Sequence, residues 1–186
     1  VVQGLGPVGM FACLYLCAIG IPHVYAINFG VQEQKETLAK AFGVERIFRL
    51  DGTDNDQKIV TELTEITGGL GVDLVFEASG APAAVPMGLS LLRNRGVYLV
   101  PGQYSNHGDV AISPQLITFK ALQILGSSQY SMVDVRKYLD FLSAHPELHD
   151  KIRALSTGYP VEKVNEAFAD AMAGKNIKTM LVPTAE

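Results

Sequence analysis

The sequence predicts an α/β fold built on a doubly wound parallel sheet with helices on both faces. Short apolar runs alternate with helical patterns from the first residue to about Gly126. Most of these runs, such as VYAI, LVF and VYLV, are continuously apolar, which is typical of strands that are covered on both faces. Prolines lie at the start of several predicted helices, and glycines follow the ends of predicted helices. These are the helix positions that proline and glycine favour. Right-handed crossovers between such strands give an open parallel sheet.

The predicted elements define two parts of the chain. Strands are predicted at Val1–Gln3, His23–Asn28, Arg46–Phe48, Asp73–Glu77, Val97–Val100 and Leu122–Gly126, and helices between them at Pro7–Ile19, Glu33–Phe42, Asp56–Thr67 and Ala81–Leu92. Beyond the sixth strand, the sequence predicts two more helices, at Val133–Ala144 and Val161–Ala173, with an irregular stretch between them. A strand at Lys178–Val182 comes last. We therefore expect one domain over residues 1–129 and a C-terminal segment over residues 130–186 that is too small to fold comfortably alone. Since the chain begins inside a predicted strand, we also expect that its N-terminus is truncated.

Composition and charge exclude several classes of protein. The chain has 186 residues, 48% of them hydrophobic, and a net charge of -4, which gives it no electrostatic attraction to nucleic acid. The two cysteines form no disulfide framework, so a reducing cytoplasm is expected. Residues 1–32 contain no charged side chain, but glycines and Pro22 interrupt this run, and its helical part spans only about 20 Å. We therefore expect neither a membrane span nor a signal peptide.

The first loop carries a glycine motif in the context that its chemistry requires. Gly4, Gly6 and Gly9 form a G-x-G-x-x-G pattern between a predicted strand and a predicted helix. The first glycine permits a tight turn, the second lets a pyrophosphate approach the backbone, and the third lets the helix pack on the sheet. The amino end of the helix, which begins at Pro7, then offers free amides and a positive dipole to an anion. This pattern predicts a dinucleotide-binding Rossmann domain.

The end of the second predicted strand bears on the choice of dinucleotide. A carboxylate about 20 residues after the glycine loop would bind the adenosine ribose and favour NAD. This sequence has Asn28 there, followed by Phe29. An amide does not repel a 2′-phosphate, and Lys35 is close enough in sequence to reach one, but Asn28 could also bind the ribose hydroxyls of NAD. Both NAD and NADP therefore stay compatible with the sequence.

Five stretches, in the same order along the chain, resemble one protein family. They are GLGPVG, LAKAFGVERIF, ITGGLGVDLVFEASG, LLRNRGVYLVPG and YPVEKVNEAFADAMAGKNIKTMLV. Together they resemble the zinc-type alcohol dehydrogenases of the medium-chain dehydrogenase/reductase superfamily. The resemblance implies hydride transfer between a nicotinamide cofactor and an alcohol, ketone or aldehyde, assisted by zinc. It also implies that the zinc ligands belong to a preceding GroES-like catalytic domain, which the C-terminal segment completes, and that the protein is a homodimer or homotetramer paired through the strand near Leu122–Gly126.

The resemblance also assigns cofactor contacts to residues of this chain. Val8 would lie under the nicotinamide ring, Pro101 and Ser127 would offer backbone carbonyls to its carboxamide, and Gln129 would offer an amide. Two features depart from the family pattern: about two extra residues between Asn28 and the LAK of the second stretch, and a proline at Pro101 where an aliphatic residue is usual. The complete set of expected cofactor-binding residues is Gly4, Gly6, Pro7, Val8, Gly9, Asn28, Phe29, Lys35, Ala78, Ser79, Gly80, Pro101, Ser127 and Gln129.

The chain itself offers no convincing catalytic or metal-binding group. Cys13 and Cys17 share one face of an apolar helix and are interpreted as core residues. The HPELH stretch from His145 to His149 has a proline and no third ligand, so a polar surface is the simpler interpretation. Glu77, at the end of a buried strand, is interpreted as a structural hydrogen-bonding partner. We therefore expect that this polypeptide alone binds a dinucleotide weakly and catalyses no reaction.

Two other classes of function are compatible with parts of the pattern. A dinucleotide sensor or structural protein could keep the same fold without catalysis, and the sequence does not separate it from an enzyme. An S-adenosylmethionine methyltransferase has a similar sheet but favours an acidic residue before the glycine turn and a carboxylate after the second strand. Gln3 and Asn28 fit neither of these requirements.

Overall fold

The structure, a computed structural model, describes residues 1–53 and 55–183. The chain divides into two compact units, Val1–Ser128 and a second unit that begins at Gln129. The first unit contains the strands β1 (Val2–Gln3), β2 (Tyr25–Phe29), β3 (Arg46–Leu50), β4 (Val72–Glu77), β5 (Leu92–Val100) and β6 (Gln123–Gly126). Its helices are α1 (Pro7–Ala18), α2 (Glu33–Phe42), α3 (Asp56–Ile66), α4 (Ala84–Leu91) and α5 (Pro114–Lys120).

The first unit confirms the predicted doubly wound sheet. Its six strands lie in the order β3-β2-β1-β4-β5-β6, and all neighbouring pairs are parallel. The order reverses between β2 and β4, on either side of β1, which makes the carboxyl end of β1 a topological switch point. In open α/β sheets, ligands bind at this point, in the crevice beyond the carboxyl ends of the strands.

A continuous apolar core holds the sheet to its helices. Strand residues such as Val75 and Tyr98 are almost completely buried, as are Leu63 of α3 and Leu89 of α4. Burial of a side chain of this size stabilises the fold by about 1.5–3 kcal/mol. The continuous apolar runs of the sequence are therefore explained, because the central strands are buried under helices.

The second unit contains more regular structure than the sequence predicted. It consists of α6 (Met132–Ala144), a 3-10 turn at Pro146–Leu148, α7 (His149–Ala154), β7 (Ser156–Pro160), a 3-10 turn at Val161–Lys163, α8 (Val164–Met172) and β8 (Lys178–Val182). The prediction of an irregular stretch up to Tyr159 was wrong. The sequence of β7, STGYP, has few residues that favour strands, but the strand forms because it pairs in parallel with β8.

Helix α5 was not predicted from the sequence at all. This helix has only seven residues, PQLITFK, and contains β-branched residues that lower helix propensity.

In the described residues, no helix combines the length and the apolar character needed to cross a membrane.

An ion pair connects α2 to β3. Arg49 donates to both carboxylate oxygens of Glu36, at 2.9 Å from Nε and 2.5 Å from a terminal nitrogen. Glu36 is buried, whereas about half of the Arg49 side chain is exposed. The hydrogen bonds from Arg49 lower the pKa of Glu36, and its charge also contributes to this shift. Because Arg49 is paired with Asn28 in the sheet, this contact also fixes α2 beside the carboxyl end of β2.

Substitution of Arg49 by methionine is expected to destabilise the first unit by about 2 kcal/mol at pH 7, because Glu36 then remains buried without a partner. Since the folded-state pKa of Glu36 lies below its ordinary 4.5, the pair stabilises the fold above that pH. This contribution is lost as the pH falls through the lowered pKa. Urea unfolding of both proteins should therefore show a difference at pH 7 that shrinks as the pH is lowered below 4.5 and through the lowered pKa of Glu36.

Arg153→Met is the matched control for Arg49→Met. Arg153 pairs with Asp150, whose side chain is 92% exposed, so its loss should change stability by less than about 1 kcal/mol. Equal effects of the two substitutions at pH 7 would contradict the role assigned to the Glu36 pair.

Candidate functional site

A turn that only glycine can form leads out of β1. Gly4 has a φ of 91°, in the left-handed region that side chains avoid. Its amide donates to the carbonyl of Ile27 at 2.8 Å, which ties the turn to β2. A Cβ at this position would lie 2.7 Å from the Cα of Ser79. The backbone of the turn therefore packs directly on the loop that follows β4.

The other two glycines of the motif have different surroundings. A Cβ on Gly9 would lie 1.9 Å from the carbonyl oxygen of Gly4, so α1 contacts the turn directly. In front of Gly6, by contrast, a Cβ would meet no protein atom within 4 Å. Gly6 precedes α1, Pro7 begins it, and no side chain caps its first turn. Because the first amides of a helix lack partners within the helix, this open face can receive an anion.

A cavity of about 530 Å³ lies at the carboxyl ends of β1, β2, β3 and β4. Its size falls in the range of small-molecule sites. Seven of the predicted contact residues line it, namely Gly4, Gly6, Asn28, Phe29, Lys35, Ala78 and Ser79. The structure therefore brings the glycine turn, the end of β2 and the loop after β4 together around one space.

The remaining predicted contact residues do not line this cavity. Val8 is 52% exposed in the first turn of α1. Pro101 directly follows β5, and Ser127 follows β6 and donates its amide to the carbonyl of Val100 at 3.2 Å. Gln129, with a φ of 65°, belongs to the second unit. Pro7 and Gly9 lie in α1, and Gly80 follows Ser79 in the loop after β4.

Asn28 places an unsatisfied donor at the cavity. The residue is 6% exposed, and its Nδ2 atom has no hydrogen-bond partner among the described residues. A buried amide without a partner costs about 1–3 kcal/mol. A ligand atom that accepts a hydrogen bond at this position would remove that cost. The orphaned donor therefore fits a bound group with acceptor oxygens.

Glu77 holds the loop after β4 in shape. The residue is completely buried at the end of β4, and one oxygen, Oε1, accepts hydrogen bonds from three donors. These are the Ser79 amide at 2.7 Å, the Ser79 hydroxyl at 2.5 Å and the Gly80 amide at 3.0 Å. The prediction that Glu77 is a structural hydrogen-bonding partner is confirmed. Its second oxygen, Oε2, has no partner among the described residues and lies beside Gly102.

The charged groups around the cavity are few. Lys35 lines it and is partly buried, and burial lowers the pKa of its amine. Asp56, an exposed residue in the first turn of α3, also lines it. Glu36 is occupied by Arg49, as described above. The glycine turn itself contributes no charged side chain, so its attraction for an anion depends on backbone amides and the helix dipole.

Several lining residues escaped the sequence analysis. They come mainly from the end of β3, the loop after it and the first turn of α3, and include Leu50, Gly52, Asn55 and Asp56. Their location follows from strand order, because β3 is the neighbour of β2 and its carboxyl end lies at the same edge. Applied to β3, the rule that ligands bind at the carboxyl ends of strands would have identified them.

The other chemistry-bearing residues serve structural roles. Cys13 is buried, and burial raises the pKa of its thiol to about 12, so it is unreactive. His145 pairs with Glu147 at 2.9 Å, and Nε2 of His149 lies 3.0 Å from the carbonyl oxygen of Leu142. Within residues 1–53 and 55–183, no three histidine, cysteine or acidic side chains cluster as metal ligands.

Sequence comparison places the chain beside dehydrogenases. Residues 7–144 match a family described as "Zinc-binding dehydrogenase". D-xylulose reductase A of Aspergillus oryzae is 30% identical over 185 residues, which are 97% of this chain and 49% of that protein. The 5-exo-hydroxycamphor dehydrogenase of Pseudomonas putida is 29% identical over 188 residues, with 99% of this chain and 50% of that protein covered. The chain spans about half the length of the curated relatives that it matches.

Solved structures show the same fold at lower identity. An alcohol dehydrogenase from Thermotoga maritima superimposes with a TM-score of 0.82 and 22% identity, covering 98% of this chain and 49% of that one. Benzyl alcohol dehydrogenase from Acinetobacter calcoaceticus gives a TM-score of 0.81, also at 22% identity, with 98% and 49% covered.

Proposed function

Because the chain belongs to the zinc-binding dehydrogenase family, we propose that it is the nicotinamide-dinucleotide-binding portion of an oxidoreductase. The whole protein would interconvert an alcohol and a ketone or aldehyde. The observation that carries this proposal is the uncapped amino end of α1 behind Gly6, which is bare of side chains and adjoins a cavity. Such an arrangement can receive a ligand that brings acceptor atoms to the backbone amides.

Each part of a dinucleotide would have candidate partners among the residues that line the cavity or follow the strand ends beside it. The pyrophosphate would be held by the first amides of α1, which it would reach past Gly6. Asn28 and Lys35 would meet the adenosine ribose, and the exposed ring of Phe29 offers an apolar surface close to the adenine. Ser79 and the backbone around it would contact the part of the cofactor that leads from the pyrophosphate to the nicotinamide.

The nicotinamide end would extend along the same edge of the sheet. Val8, exposed in the first turn of α1, would support the ring, and the ends of β5 and β6 would present the carbonyls of Pro101 and Ser127. The Gly80 backbone completes the proposed set within the first unit. When bound, the nicotinamide supplies or accepts a hydride. The residues assigned here would orient the ring, and within the described part of the chain none of them is assigned a role as acid, base or metal ligand.

The rest of the chemistry belongs to the whole protein. By the family relationship, a GroES-like domain would supply the zinc ligands and most of the substrate pocket, and residues 130–186 would complete that domain. Relatives named for xylulose, hydroxycamphor and arabitol phosphate support an alcohol or ketone as the substrate class. The proposed enzyme is cytoplasmic.

Strand β6 supports a homo-oligomer in this proposal. It is the edge strand of the sheet, and Ile124 and Leu125 are 43% and 47% exposed there. An exposed apolar edge strand pairs readily with a second one. A homodimer or homotetramer formed through this edge would cover both side chains.

Titration with reduced cofactor tests the proposal. The 186-residue chain should enhance and blue-shift the fluorescence of NADH or NADPH, with weak affinity and no oxidation of alcohols by the chain alone. Weak affinity is expected because only seven of the fourteen proposed contact residues line the cavity. A parallel titration with S-adenosylmethionine should show no binding. Binding of that ligand, or no response to either nicotinamide cofactor, would refute the proposed function.

A further inference from the structure

We propose that the cavity prefers the dinucleotide that carries a 2′-phosphate on its adenosine ribose, and that Asn28 and Lys35 determine this preference. The inference rests on the proposed function, because it concerns the adenosine end of the same cavity. It would identify the cofactor as NADP rather than NAD.

Asn28 contributes a donor where an acceptor would favour the unphosphorylated ribose. Asn28 lines the cavity, and its buried Nδ2 atom has no partner in the described part of the chain. A carboxylate at the end of β2 would accept hydrogen bonds from the ribose hydroxyls and repel a phosphate. The amide carries no charge, and its free N–H needs an acceptor. A phosphate oxygen is always an acceptor, so it satisfies this atom without conflict.

Lys35 contributes an uncompensated positive charge at the same cavity. It lies in the first turns of α2, partly buried, and no ion pair among the described residues includes it. Burial lowers the pKa of its amine, so a counter-charge brought by a ligand would offset part of the cost of desolvating the charged form. A ribose hydroxyl could satisfy Asn28 but would leave this charge without a counterion. A 2′-phosphate, with a charge of about −2 and three acceptor oxygens, can satisfy both groups.

The carboxylates nearby do not cancel this arrangement. Glu36, the neighbour of Lys35 in α2, is held by Arg49 and therefore has its own counterion. Glu33, in the first turn of α2, is exposed to solvent. Asp56 lines the cavity, but it is also exposed, so water and salt weaken its repulsion of an anion.

The preference can be measured with small adenosine ligands on the 186-residue chain. Calorimetric titration should show that adenosine 2′,5′-bisphosphate binds at least about tenfold more tightly than ADP, which has the same number of phosphates in another position. NADP should exceed NAD by a similar factor. Equal affinities within each pair would overturn the inference and leave the proposed function standing. Failure of all four ligands to bind would refute the proposed function itself.

Three variants separate the contributions of the two residues. Lys35→Gln should reduce the affinity for adenosine 2′,5′-bisphosphate about tenfold, and by a clearly larger factor than the affinity for ADP. Lys40→Gln removes the same charge from an exposed position on the same helix and should leave both affinities unchanged. Asn28→Asp should reverse the preference.

Thermal unfolding of each variant checks that it is folded. Because Lys35 is only partly buried, Lys35→Gln tests the inference even if Asn28→Asp does not fold. Equal losses in Lys35→Gln and Lys40→Gln would show a general charge effect and would overturn the assignment of Lys35.

Discussion

Gly6→Val is expected to abolish dinucleotide binding and to leave the fold intact. Gly6 has a φ of −72°, which any residue adopts, and a Cβ there would contact no protein atom within 4 Å. The valine side chain would instead occupy the space through which a pyrophosphate reaches the amides of α1. Charge-assisted hydrogen bonds are worth about 1.5–3 kcal/mol each. Loss of two of them reduces affinity by more than about 100-fold.

The measurement compares cofactor fluorescence titration with urea unfolding of the same preparations. Gly6→Ala, with its smaller side chain, should give an intermediate loss of affinity, and both variants should be at least as stable as the wild type, since replacing glycine restricts the unfolded chain. Gly126→Val is the matched control, because this glycine also has open space around it but lies at the edge strand. Unchanged binding in Gly6→Val would mean that the turn is not the pyrophosphate site.

Local patterns were sufficient to predict the part of the site that sequence neighbours build. The glycine turn needs only a strand, three glycines at fixed spacing and a helix, and all of these lie within residues 1–18. The structure places Gly4 and Gly9 in contact and leaves Gly6 open, as the motif requires. The alternation of strands and helices, with right-handed crossovers, then predicts a doubly wound sheet, whereas the strand order itself is seen only in the structure. Fold class and the position of the site could therefore be derived without coordinates.

The parts that were missed depend on contacts between distant residues. The buried pair of Glu36 and Arg49 joins a helix to a strand, and neither residue differs in sequence from an exposed charge. Likewise, the free Nδ2 atom of Asn28 becomes visible only when the surroundings of the side chain are known. The strand β7 depends on its pairing with β8 and has little propensity of its own. Periodicity predicts which face of an element is buried, but not which polar group lies opposite.

The second large effect is expected at Glu77, which holds the shape of the loop after β4. This loop contacts the glycine turn through Ser79. In Glu77→Ala, the amides of Ser79 and Gly80 and the Ser79 hydroxyl lose their common acceptor at the end of β4. A buried donor without a partner costs about 1–3 kcal/mol, and the deleted carboxylate leaves a cavity. We expect a loss of at least about 3 kcal/mol in the free energy of unfolding. Because a Cβ on Gly4 would almost touch Ser79, relaxation of the loop should also distort the turn and weaken cofactor binding about tenfold or more.

Glu77→Gln and Asp73→Ala distinguish this role from a simple loss of charge on β4. Glutamine keeps a carbonyl oxygen where the three donors converge, so it should cost less than half as much as alanine. Asp73 lies on the same strand with its side chain 82% exposed and pairs with Arg93, so Asp73→Ala should change stability by less than about 1 kcal/mol. Chemical denaturation of the three variants, followed by circular dichroism, measures these differences. If Glu77→Ala is no less stable than Asp73→Ala, the buried carboxylate does not hold the loop, and the contact between Ser79 and the glycine turn must be maintained by backbone packing alone.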